Sequence, residues 1–185
     1  MNHIYIKEIE GIWFAVALDE DERIIATSYS LKERKDVVSS ILKEIPIDSN
    51  FINKKPTNLV NDILRNMYLI YKGKLTEHKF ELNMDRLPPF TKKALLLTLQ
   101  IPYGSVTTYR DIAKSIGNEK AARAVGNAEA RNPFAPIVPC HRVVNSDLKL
   151  SGHGEGLNNR YTILKREGIV FKGKRISEES VWHLT

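Results

Sequence analysis

The chain has 185 residues, 42% of them hydrophobic and 27% charged, enough apolar material to core one domain or two small ones. Its apolar runs fall far short of the roughly 20 residues of a membrane-spanning helix, and Met-Asn-His-Ile-Tyr-Ile-Lys-Glu lacks the basic start and apolar block of a secretory signal, so no membrane association is expected. The net charge of +6 is unevenly placed: residues 1–86 carry 13 Lys+Arg and 14 Asp+Glu, whereas residues 87–185 carry 15 and 8, which suits a polyanion such as nucleic acid or simply a basic surface.

His3 to Lys7 alternates as a short strand does, Glu10-Gly11 offers a turn, and Ile12 to Leu18 is apolar enough for a buried strand. Ile24 to Ser28 pairs with it across the acidic loop 19–22, which reads as a solvated turn. Ser30 is a candidate cap for a helix running to Ile45, with Val37, Val38, Ile41, Leu42 and Ile45 on one face and Pro46 ending it. Residues 48–58 read as irregular. A second helix spans 59–72, closed by Gly73, and 77–82 reads as a strand. Residues 83–89 form a linker stiffened by Pro88-Pro89, so the domains divide as 1–86 and 87–185.

Beyond the linker a helix is expected over 91–100, then a turn at 101–104. Thr107 or Thr108 caps a helix from Tyr109 to Ile116, Gly117 ends it, and Asn118 caps a third helix over 119–131. Two short helices joined by Gly-Asn read as a helix-turn-helix. The third helix is rich in small residues, Ala121, Ala122, Ala124, Gly126 and Ala128, with Arg123 among them. They pack on a core or let the backbone approach another surface closely.

The chain's one cysteine lies in Ile137-Val138-Pro139-Cys140-His141-Arg142-Val143-Val144. A single thiol excludes an internal disulfide and a cysteine-rich zinc site, and the five histidines lack ligand-like spacing, so no metal is expected. The flanking apolar pairs predict burial, and Pro139 predicts a turn at Cys140. The dipeptide alone is equally compatible with a small core cysteine beside a surface histidine. Asn132-Pro133 lies upstream and Glu167-Gly168 downstream. Taken alone, Glu167 in Lys165-Arg166-Glu167 reads as a helix-end carboxylate paired with a neighbouring cation.

Together these motifs, in this order from about Pro88 to Gly168, resemble the O6-alkylguanine-DNA alkyltransferases, with Pro-Cys-His-Arg-Val at 139–143 matching their active-site signature. The resemblance implies an α+β protein: an N-terminal ribonuclease H-like sheet-and-helix supporting domain, then a mostly helical C-terminal domain with a winged-helix-like helix-turn-helix. It implies a monomer in the cytoplasm, associated with double-stranded DNA that contains O6-alkylguanine, using no cofactor. A free thiol nucleophile fits a reducing compartment.

By that resemblance Cys140 takes the alkyl group once and irreversibly, His141 accepts its proton through a water, Glu167 orients His141, and Asn132 braces the turn. Arg123 fills the space of the extruded base from a helix docked in the minor groove, where Ala121, Ala122, Ala124, Gly126, Thr108 and Ser146 also meet DNA. Tyr109 and the Val143 carbonyl bind the guanine, and His153 and Gly154 line the alkyl pocket. Arg142 is expected to be structural, bonding nearby groups. The sequence departs from the family in its lid, Ser151-Gly-His-Gly-Glu-Gly156, where His153 replaces the usual tyrosine and Glu155 a glycine. Two other readings stay open: a module that binds alkylated DNA and recruits other factors, and a cysteine hydrolase, for which no oxyanion hole is legible.

Overall fold

A computed structural model describes residues 2–45, 49–51, 56–76 and 79–184. These form two compact units, one of residues 1–71, 76–86 and 133–137, the other of 72–75, 87–132 and 138–185.

The first unit is built on a sheet of order β3-β2-β1-β4, with β1 at His3–Ile9, β2 at Ile12–Leu18, β3 at Ile24–Ser30 and β4 at Asn50–Phe51. Glu10 and Gly11 both take positive φ, 48° and 78°, as a two-residue hairpin turn between β1 and β2 requires. β2 is central and buried on both faces, which explains its unbroken apolar run. Ala15 and Ala17 pack with Val37 and Ile41 of helix α1, Arg34–Leu42. Phe14, on the opposite face, meets Tyr68 of helix α2, Asn58–Tyr71, edge-on at 6.3 Å. The outer edge of β3 is covered: Ile24 bridges Leu82, Thr27 N–H donates to the Pro133 carbonyl at 2.7 Å, and its hydroxyl donates to that of Ala135 at 2.8 Å.

Several local expectations shift here. Ser30 does not cap α1, because it remains in the ladder opposite Trp13 and its hydroxyl accepts the Lys32 N–H. The cap moves to Glu33, whose N–H is taken by the Asp36 carboxylate. Leu42, expected on the apolar face, is 46% exposed. The expected stop at Pro46 lies outside the described residues. So do Glu77 and His78 of the expected strand 77–82, of which the described part contributes the bridge at Leu82. β4 falls in a stretch read as irregular. In the acidic loop, Asp19 accepts from the Asp21 and Arg23 backbones, the Arg23 side chain and Asn83, so its carboxylate ties the loop together.

The second unit contains helices α3 (Pro89–Thr98), α4 (Tyr109–Ile116), α5 (Ala122–Ala130) and α6 (Gly154–Arg166). α3 starts at Pro89, earlier than expected, since proline at the first helical position loses no hydrogen bond. Thr108 caps α4 through the Asp111 N–H, and Gly117 closes it at φ 99°. Asn118 caps a single 3-10 turn, 119–121, before α5 begins; its side chain holds the Lys120 N–H and its carbonyl the Ala121 N–H, an i→i+3 pattern. Ala94, Ile101, Ile112, Val125, Ala128 and Val143 form the core beneath these helices. Two small strand pairs were not expected: a parallel pair of β5 (Thr107–Thr108) and β6 (Val143–Val144), and an antiparallel pair of β7 (Phe171–Lys172) and β8 (Arg175–Ile176). Gly154, Glu155 and Gly156, expected in a flexible lid, form the first turn of α6. Among the described residues no helix is long and apolar enough to cross a membrane.

Candidate active site

The signature segment folds as two consecutive tight turns. The Val138 carbonyl accepts from Cys140 N–H at 2.8 Å across Pro139, whose φ −80° and ψ 60° are those of an inverse γ-turn. A 3-10 turn, Cys140–Arg142, follows, with Arg142 N–H donating to the Pro139 carbonyl at 2.9 Å. Asn132, just past α5, donates its side-chain amide to the same Val138 carbonyl at 2.9 Å. The segment therefore turns at Cys140, as Pro139 predicts, and Cys140 and His141 are not strand neighbours.

His141 and Glu167 are both 4% exposed, and His141 Nε2 lies 2.9 Å from Glu167 Oε1. An ionised carboxylate only accepts, so Nε2 carries the proton of the neutral ring and Nδ1 is left to accept one. Arg142 completes the group. Its Nε donates to Glu167 Oε2 at 2.9 Å, one terminal nitrogen to Oε1 at 3.0 Å, and the other to the Ile101 carbonyl at 2.9 Å. The isolated reading of Glu167, paired with an adjacent cation of its own helix, gives way to a pairing with residues 25 and 26 positions upstream.

The electrostatics suit a resting neutral pair. Burial pushes His141 below the usual histidine range, and the Arg142 and Arg160 charges push the same way, against the bond and charge of Glu167. Burial pushes Glu167 up, but the bonds from His141 and Arg142 outweigh it and hold its carboxyl below the usual range. Although Cys140 is only partly covered as a residue, desolvation pushes its thiol up. Asn132 and Arg160 counter that push, and Glu129 adds to it. Cys140 thus rests as a thiol, and the next residue carries a neutral imidazole with Nδ1 free of the carboxylate bond.

Two residues of this neighbourhood carry no local signal. Arg160 of α6 reaches back over the turn: its guanidinium bonds the Ser151 hydroxyl and carbonyl, the Tyr109 hydroxyl, and the carbonyls of Cys140 and Val143. In sequence it is one more cation of a polar helix. Glu129 of α5 is 6% exposed, and burial raises its carboxyl to about 7 despite the Thr98 bond and the Arg160 charge. The Thr98 hydroxyl lies 2.6 Å from Glu129 Oε1 and 3.0 Å from the Ala94 carbonyl. With one proton to give, that hydroxyl serves both only when Glu129 carries its own proton.

A carboxyl raised by folding favours the native state below its unfolded value near 4.5 and loses that contribution as pH climbs to about 7. Glu129→Gln is therefore expected to match the parent near pH 4.5 and exceed it at pH 8, by at most about 3 kcal/mol. Urea unfolding at the two pH values checks this, and a gap that does not grow with pH overturns it.

The other expected residues fall as follows. Arg123 and Ala124 are exposed on α5, and Ala121, Ala122 and Gly126 are half-buried. Tyr109, Ala122, Arg123, Gly126 and Ser146 line one open groove, joined by Asn127, Asn145 and Ser151, which the sequence reading did not single out. Thr108 is 7% exposed, its hydroxyl engaged by Asp111. His153 is exposed at the N-cap of α6 and Gly154 opens that helix. Val143 is buried in β6. Among the described residues no cluster of three or more metal-ligating side chains occurs.

A thiol on a tight turn, next in sequence to a neutral, carboxylate-bound imidazole and in a unit that also presents a helix-turn-helix, suits a cysteine-nucleophile transferase of the DNA-handling kind. Residues 89–169 match the family model for the 6-O-methylguanine DNA methyltransferase, DNA binding domain. The methylated-DNA–protein-cysteine methyltransferase of Methanosarcina barkeri is 39% identical over 125 residues, 68% of this chain and 77% of that protein. Two solved structures are similar at 27% identity: Mycobacterium tuberculosis OGT in complex with DNA, with a TM-score of 0.69 over 89% of this chain and 92% of that one, and the O6-methylguanine-DNA methyltransferase of Pyrococcus kodakaraensis, with 0.66 over 91% and 100%. The chain belongs to the methylated-DNA–protein-cysteine methyltransferase family.

Proposed function

We propose that this protein repairs double-stranded DNA by moving an alkyl group from O6-alkylguanine to Cys140, once per molecule. The observation that carries the reading is the buried Glu167–His141 pair, 2.9 Å apart, whose histidine lies on the turn that presents the chain's one thiol. In the step proposed, His141 Nδ1 accepts the thiol proton through a water. Sulfur attacks the alkyl carbon, the carbon–O6 bond breaks, and the proton returns to the departing guanine. Glu167 stabilises the transient imidazolium, as the carboxylate of a nucleophile–base–orienter triad does. The product is a thioether that water does not cleave, so turnover ends there.

A base inside a duplex is out of reach of any thiol and has to be turned out. α5 and the turn before it present exposed Arg123 and Ala124 with half-buried Ala121, Ala122 and Gly126, a surface shallow enough for the minor groove. Arg123 is read as the side chain that fills the vacated stack, Tyr109 and the Val143 carbonyl as guanine contacts, and Asn132 as the brace of the turn. Ser146 is read as a DNA contact beside them, and Thr108 as meeting DNA through its place at the start of α4. His153 and Gly154 are read as the rim of the alkyl pocket. The N-terminal sheet flanked by α1 and α2 is read as a ribonuclease H-like supporting domain, and the C-terminal helix-turn-helix as winged-helix-like. A monomer in a reducing cytoplasm, without cofactor, fits a one-shot thiol.

The deciding experiment is intact mass after incubation with excess duplex containing one O6-methylguanine, followed by peptide mapping. One methyl per chain on Cys140 is expected; retained binding with unchanged mass would replace transfer by recognition alone. Arg123→Ala is expected to slow repair of the duplex about tenfold or more while changing attack on free O6-methylguanine little, because only the duplex imposes an unstacking cost of a few kcal/mol. Equal losses on both substrates would remove Arg123 from that role.

A further inference from the structure

We propose that Arg160 is a displaceable stand-in for guanine: in the free protein its guanidinium occupies the hydrogen-bonding positions of the turned-out base and withdraws when the base seats. This rests on the alkylguanine reading above. One terminal nitrogen of Arg160 lies 2.5 Å from the Val143 carbonyl, 3.4 Å from the Tyr109 hydroxyl and 3.5 Å from the Cys140 carbonyl. The other donates to the Ser151 hydroxyl at 2.6 Å and its carbonyl at 3.0 Å, and that hydroxyl lies 2.6 Å from the Tyr109 hydroxyl. Val143 and Tyr109 are the residues read as guanine contacts.

The likeness is chemical as well as positional. Carbon 2 of guanine bears N1, N3 and the exocyclic amino group, so that edge of the base is itself a planar guanidine. Alkylation at O6 removes the N1 proton and leaves the amino group as the one donor on this edge. A carbonyl that loses its donor in a desolvated site is costly to leave bare. Arg160 keeps the Val143 carbonyl satisfied until the amino group replaces it, so departure and arrival are one exchange. The arginine is not fully anchored, since its Nε is buried without a hydrogen-bond partner. The preference between bases then rests on the 2-amino group and the Val143 carbonyl, while Arg160 sets the cost that every seated base meets. A base without the 2-amino group displaces the arginine and returns nothing to the Val143 carbonyl.

The test is equilibrium binding of free O6-methylguanine and O6-methylhypoxanthine to Cys140→Ala protein with and without Arg160→Met. Arg160→Met is expected to tighten O6-methylguanine binding about tenfold, the value of one good charge-assisted hydrogen bond no longer given up, and to tighten O6-methylhypoxanthine by a similar factor, leaving the preference for the 2-amino base unchanged. Arg160→Lys, which keeps the charge but not the fork, is expected to shift binding the same way by less. Unchanged or weaker binding in both variants makes Arg160 a fixed strut of the Cys140 turn and overturns the proposal, as does failure of every variant to bind either base. Methyl transfer to Cys140, read separately by mass on the protein with its thiol, tests the alkyl-transfer reading independently.

Discussion

Cys140→Ala abolishes the methyl gain by mass while DNA binding persists: this is the largest expected effect. The chain holds one cysteine, so no second thiol can take the group. Water or a hydroxyl cannot substitute, because displacement at an alkyl carbon depends on the nucleophilicity of sulfur, and the thiolate is its reactive form. The loss is chemical and not structural. Cys140 is held through its backbone, by the Val138 carbonyl, and the Asn132 amide reaches that same carbonyl, so both hydrogen bonds survive the substitution. The unfolding free energy is expected to fall by no more than about 1 kcal/mol, the value of the one hydrogen bond the thiol shares with Asn132. Any residual methylated protein in the variant reassigns the nucleophile.

Glu167→Gln is the second. The carboxylate accepts three side-chain hydrogen bonds, one from His141 and two from Arg142, while its own side chain is 1% exposed. An amide has one oxygen to offer and brings two unwanted donors. The imidazolium formed as His141 takes the thiol proton then loses its counter-charge. Single-turnover transfer is expected to fall by about 10²–10⁴, the range over which an orienting carboxylate acts in comparable triads. The Arg142 guanidinium is also left without its partner, and breaking a buried pair from one side costs about 3–5 kcal/mol. Rates are therefore to be compared where the variant is still folded, with Glu167→Asp expected between the two.

Sign and pH separate these contributions. Folding holds the Glu167 carboxyl below its ordinary value, so its stabilisation is present above the unfolded pKa and fades as pH falls toward the folded one. The stability gap between parent and Glu167→Gln should narrow in acid. Transfer by the parent should hold level through neutrality and fall only below the usual histidine range, because burial keeps His141 neutral to lower pH than a free imidazole. A rate within twofold of the parent for Glu167→Gln would leave the carboxylate a purely structural part.

Much of the frame was readable because its causes are local. The alternation of β1, the apolar run of β2, the Glu10-Gly11 turn and the caps at Thr108 and Gly117 follow from side-chain period and backbone preference within a few residues. The element limits that moved did so where a neighbour claimed the residue first: Ser30 stayed in the ladder with Trp13, and the Asn118 carbonyl tightened the next turn into 3-10 geometry. The two-residue strands pair residues far apart in the chain, Thr107 with Val143 for example, and are too short to show a period of their own.

The same division runs through the site. The sequence by itself determined which thiol, histidine and carboxylate are proposed to act together, because the lone cysteine in Pro-Cys-His-Arg-Val and its spacing to Glu167 are carried by residue type and order. Only the tertiary structure decided who shares the Glu167 oxygens, that Arg160 reaches the carbonyls of the Cys140 turn, and that Glu129 is buried against Thr98. Burial and long-range hydrogen bonds fix protonation and donor placement, and both depend on which helix lies over which turn. A cation in a polar helix and a carboxylate among alanines look alike in sequence whether they face water or a thiol.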